Sequence, residues 1–139
     1  MHTIAFAIPI ALDKTDLFRS AYGRFVLDRR AEFEESRRRL GITSERGFLQ
    51  KTPTGDVAIV VFDVVDPARM LAGTATSTEP IDVDFRHYLF EAFGLDLAGG
   101  TAPAPSEEVF CWRRDGSPQA LSSNRRKAPP QRRPSLKLS

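Results

Sequence analysis

The chain has 139 residues, 41% of them hydrophobic and ten of them Phe, which is enough to fill one core, and its net charge is +2. All 18 acidic residues lie at or before Asp115 while six of the 20 basic residues lie after it, so the first 115 residues carry −4 and the remainder +6. The pI near 9.0 therefore reports the tail, and it does not mark the body as a binder of polyanions. One cysteine, Cys111, excludes an internal disulfide framework and a Cys-rich zinc site. No apolar run approaches the roughly 18 residues of a membrane span. The stretch Ile4 to Leu12 is interrupted by Pro9 and lacks the basic start of a signal peptide, which leads to the expectation of a cytoplasmic protein.

From Thr3 to Ile10, bulky Ile4, Phe6, Ile8 and Ile10 alternate with small residues, the period of a strand with one large face. Asp13 is placed to cap a long helix in which Phe18, Tyr22, Phe25, Arg29 and Phe33 recur at steps of three and four until Gly41 stops it. Gly23 weakens the middle of that helix by about 1 kcal/mol relative to Ala, so a kink is expected there. Ile42 to Lys51 and Val57 to Val65 are β-prone runs joined by Thr52-Pro53-Thr54-Gly55-Asp56, a hairpin connection. The run Val57 to Phe62 is apolar on both faces and belongs at the centre of the sheet. Asp66-Pro67 predicts a helix start, that helix falters between Gly73 and Pro80, and a new one begins near Asp82 and ends at Gly94. Glu107 to Arg113 alternates Val109 and Cys111 with Phe110 and Trp112 and reads as a last strand. The segment 116–139 carries four prolines and no aromatic residue, and it is expected to be a disordered basic tail behind a domain of residues 1–115.

The order strand, helix, strand, strand, helix, strand resembles the dimeric α+β barrel superfamily of ferredoxin-like domains, as do the pairing of one long helix with one broken one and the segment Ser77-Thr78-Glu79-Pro80-Ile81-Asp82 leading into Arg86-His87-Tyr88. Within it the chain is similar to a small bacterial family of uncharacterised proteins, over roughly residues 2 to 114. The resemblance implies an α+β domain with a four-stranded antiparallel sheet, association of two copies into a barrel, and a small-molecule pocket between sheet and helices. Members include cofactor-free monooxygenases, isomerases, cyclases, haem enzymes and ligand sensors, so the fold leaves function open.

Among chemistry-bearing residues, His87 and Glu91 are one helical turn apart, a spacing at which a carboxylate can hold an imidazole for acid-base work, or at which the two form a surface ion pair. Asp63 follows Val57, Ile59 and Val61 on one strand face, where it is either a candidate base or a strand end reaching water. His87 and Asp63 are thus the catalytic candidates. Tyr22 and Arg29, on the stripe expected to cover the sheet, are candidate ligand contacts together with Tyr88 and Glu91; the plainer reading of Arg29 is a long side chain reaching out of the core. No metal set is present at ligand spacing, and no Gly-rich nucleotide loop, H-E-x-x-H or G-x-S-x-G occurs.

Three readings follow. The first is a homodimeric small-molecule-binding protein with no tightly bound cofactor. The second is a cofactor-independent enzyme, a monooxygenase, isomerase or cyclase. The third is an interaction protein acting through its basic tail, whose charges suit weak contact with nucleic acid or docking to a larger assembly.

Overall fold

The computed structural model describes residues 1–115, and the expected basic tail, 116–139, lies outside the described residues. Residues Met1–Ser106 form one compact unit, and the described residues 107–115 belong to a second. In the first unit the order is β1 (His2–Pro9), α1 (Thr15–Arg19), a π-helical turn (Tyr22–Leu27), α2 (Arg30–Leu40), β2 (Ile42–Thr52), β3 (Gly55–Val64), α3 (Pro67–Thr76) and α4 (Pro80–Phe93).

The three strands make an antiparallel sheet in the order β1-β3-β2. The strand that is apolar on both faces is the central one, because it alone has a strand on either side. Thr52 pairs with Gly55 across the hairpin. Gly55 has φ 138°, and the Thr52 hydroxyl donates to the Gly55 carbonyl at 2.6 Å. Pleating sends Phe6, Ile8, Ala58, Phe62 and Val64 to one face. There Phe6, Ile8 and Val64 form a core with Leu40, Ile42 and Met70. A second core, Phe25, Ile81, Tyr88 and Ala92, joins the π-helical turn to α4.

Two glycine stops behave as their chemistry dictates: Gly41 and Gly94 end α2 and α4 at φ 73° and 72°. The Asp66 carboxylate caps α3 by accepting from the N–H groups of Ala68 and Arg69. Three expectations are corrected. The long first helix is three pieces, because around Gly23 the chain widens into a π turn in which the Asp28 N–H reaches the Gly23 carbonyl at 2.9 Å. Asp13 takes φ 63°, and the cap position of α1 falls to Lys14, which makes no side-chain capping bond. The sheet has three described strands instead of four: the described part of the second unit, residues 107–115, contains no helix or strand. Val109, Phe110 and Trp112 are 74%, 80% and 75% exposed. Alternation there is apolar on both sides, so a strand would need cover on both faces as well as a neighbour to pair with.

One polar network ties the helices together. Asp82, 2% exposed, accepts from the Ser36 hydroxyl at 2.5 Å, the Ser77 hydroxyl at 2.6 Å and Arg39 Nη1 at 3.0 Å. Burial pushes its pKa up, but the three hydrogen bonds and the guanidinium charge more than offset this and hold it below the usual carboxylate range. The Pro-Ile-Asp stretch thus anchors α4 to α2 and to the segment that ends α3.

Candidate functional site

Between the inner face of the sheet and the helices lies a cavity of about 760 Å³. Its walls are largely apolar: Phe6 and Ile8 from β1, Leu49 from β2, Val60 and Phe62 from β3, and Phe25 from the π-helical turn all line it. Gly47 also lines it, and a Cβ there would lie 3.5 Å from Phe18, so the missing side chain leaves room between the sheet and that ring.

The polar end of the cavity is built from Arg37, Glu45 and Tyr88. Arg37 Nε donates to Glu45 Oε1 at 2.8 Å and Nη2 to Oε2 at 3.4 Å. Its guanidinium lies 4.1 Å from the Phe33 ring centroid and 4.7 Å from that of Phe85, a stacked and bidentate arrangement that fixes the charge in place. Tyr88 is 3% exposed, packed edge-on against Phe25 and Phe93. Burial, with the Glu45 charge as a smaller contributor, pushes its phenol well above the usual range, so it stays a neutral O–H donor. It makes no hydrogen bond to another described residue.

On the outside of the π-helical turn a smaller, polar cleft of about 400 Å³ gathers Arg24, Asp28, Arg29, Asp84, His87, Glu91 and one side of Tyr88. Four of the six residues singled out in the sequence, Arg29, His87, Tyr88 and Glu91, meet here, of which only Tyr88 also lines the cavity. His87 is exposed. Glu91 pairs with Lys14 Nζ at 3.7 Å, and no hydrogen bond joins it to His87. Arg29 bridges Glu32 at 2.9 Å and Asp84 at 2.6 Å. Those hydrogen bonds, Glu32 first, raise its pKa further and lower that of Glu32, so it fastens the start of α2 to α4. Tyr22 is 63% exposed and lines the cavity. Asp63 lines neither space: it is on the sheet face turned away from the helices and accepts from the Thr3 hydroxyl at 2.7 Å.

Sequence reasoning missed Arg37 and Glu45. Arg37 sits in a run of charged residues, and Glu45 lies just past a register shift between Ile42 and Ser44, a β-bulge that reverses which residues face the cavity. Among the described residues no group of three or more His, Cys, Asp or Glu is arranged to hold a metal, and no helix is long and apolar enough to cross a membrane.

An antiparallel sheet covered on one face by helices, with a cavity between the layers, places the chain among α+β proteins of the ferredoxin-like kind. The crystal structure of L-rhamnose mutarotase from Formosa agariphila matches it with a TM-score of 0.57 at 12% identity, over 81% of this chain and 100% of that one. No family model matches the chain, and no curated protein matches it in sequence. At such low identity the likeness carries the fold and not the activity.

Proposed function

We propose that this protein binds a small organic molecule in the cavity between sheet and helices. The observation that carries the reading is the cavity itself: apolar walls with a few convergent polar groups at one end, and a volume in the range that holds small ligands. A thermal-shift screen of small apolar molecules tests it. A ligand at 100 times its Kd adds about 2.7 kcal/mol of stability, and Gly47→Leu, which projects a side chain into the space beside Phe18, should abolish that gain. Equal stabilisation of both proteins would place the ligand elsewhere.

A second reading, an isomerase of the same fold, is favoured by the pairing of a carboxylate with a neutral phenol at one end of the cavity. Glu45 would take a proton from the substrate and return it at a second position, while the neutral Tyr88 hydroxyl donates a hydrogen bond to a substrate oxygen. Turnover of a bound molecule separates the two readings. We also propose that the protein works as a homodimer, since the sheet face turned from the helices presents Val57, Ile59, Val61 and Phe48, the last 44% exposed.

A further inference from the structure

Resting on the cavity reading above, we propose that the ligand is an apolar, ring-bearing molecule with one hydrogen-bonding oxygen that accepts from the Tyr88 hydroxyl, and that it is not a free sugar. The polar side chains lining the cavity are almost all engaged by the protein. Arg37 and Glu45 hold each other, Arg19 pairs with Asp16 and Glu34 with Arg30. The Thr43 hydroxyl donates to the Asp63 carbonyl and the Thr74 hydroxyl to the Met70 carbonyl. Tyr22 is exposed and Ser44 half-buried, so both have access to water. Tyr88 alone among them is buried and without a hydrogen bond to a described residue. A buried hydroxyl without a partner is a cost that a native structure carries only for a reason, and a ligand oxygen removes that cost.

The same ledger excludes a sugar. A free sugar carries a hydroxyl on nearly every carbon, and each one buried without a partner opposes binding. Walls built from Phe6, Ile8, Phe25, Leu49 and Phe62 offer ring faces and methyl groups, and Tyr88 is the one buried donor without a partner among the described residues. That complement suits a phenol or an apolar alcohol or ketone. The shared fold with a rhamnose mutarotase therefore does not extend to the kind of molecule held.

The test compares the full wild-type chain with Tyr88→Phe, titrating each with 2-naphthol, naphthalene and L-rhamnose and following NMR shifts of cavity residues. Wild type should bind 2-naphthol, Tyr88→Phe should bind it about two- to tenfold more weakly, naphthalene should bind both chains equally, and L-rhamnose should shift neither. Tyr88→Phe should also melt no lower than wild type, because the deleted hydroxyl has no protein partner to lose. Equal affinity of both chains for 2-naphthol overturns the ligand class while leaving the cavity reading in place, as does binding of L-rhamnose. Failure of both 2-naphthol and naphthalene to bind overturns the cavity reading and this proposal with it. A melting temperature several degrees lower for Tyr88→Phe shows that the hydroxyl is held within the protein, and also overturns the proposal.

Discussion

Replacing Asp82 with Ala is the sharpest probe of what holds the helices over the cavity. The carboxylate is buried and receives three hydrogen bonds. Its loss leaves the Ser36 hydroxyl, itself 0% exposed, with only Arg37 Nη1 as a neighbour at 3.0 Å, a group that donates and cannot accept. Breaking a buried charged network by removing one member costs about 3–5 kcal/mol. The lower end is expected here, because the Arg39 side chain is 32% exposed and can turn to water. At about 4–8 °C per kcal/mol for a unit of this size, a loss near 3 kcal/mol lowers Tm by roughly 12–24 °C. Thermal unfolding followed by circular dichroism reads this directly, and a fall under about 3 °C would refute the reasoning. The pH dependence checks the sign. Asp82 has a folded pKa below its unfolded value, so its contribution is complete above the unfolded pKa of about 3.9 and is lost as pH falls through the lower folded value. Wild type should therefore lose stability on acidification below about pH 4 more steeply than Asp82→Asn, and parallel curves would show that the charge is not what matters.

Two glycines predict opposite outcomes from the same substitution. At Gly23 an added Cβ meets nothing within 4 Å, so Gly23→Ala should raise stability by about 0.5–1 kcal/mol in denaturant unfolding; at Gly73 it would lie 2.6 Å from Leu40 Cδ2, a core side chain 4% exposed, so Gly73→Ala should destabilise by about 1 kcal/mol, overpacking outweighing the helix gain. A rise for Gly73→Ala would show that α2 and α3 are not in close contact. Light scattering at micromolar concentration should give twice the chain mass of 15.5 kDa, and a value near 15.5 kDa would remove the homodimer.

The elements were legible wherever local chemistry acts alone. Gly41 and Gly94 end helices because the left-handed conformation is open to glycine, Asp66-Pro67 starts one because a carboxylate and a ring fit a helix N-terminus, and Val57 to Phe62 is central because both its faces are apolar. Legibility failed where a residue's role depends on what faces it. In the sequence Asp82 marks only the start of a helix, and it is the packing of α2 against α4 that brings Ser36 and Arg39 to it. The expectation of a last strand over Glu107 to Arg113 rests on alternation, yet alternation specifies which face a residue takes once a strand exists and not whether the strand has a partner.

The cavity turns on one such fact. If β2 ran without interruption from Ile42, strict alternation would place Ser44, Arg46 and Phe48 on the inner face with it, and Glu45 outside. The bulge between Ile42 and Ser44 inserts one residue, after which Glu45 pairs opposite Phe62 and Phe48 opposite Ile59. Parity is thereby reversed: Phe48 is turned to the outer face, while Glu45 enters the cavity beside Arg37. A carboxylate in an apolar space is costly unless paired, and Arg37 of α2, stacked on Phe33 and Phe85, supplies the partner. The same inversion puts the Phe48 ring beside the Val57, Ile59 and Val61 row, which the pleat of β3 sends to the far face of the sheet. A single inserted residue thus gives the cavity its polar end and adds an aromatic ring to the apolar far face of the sheet.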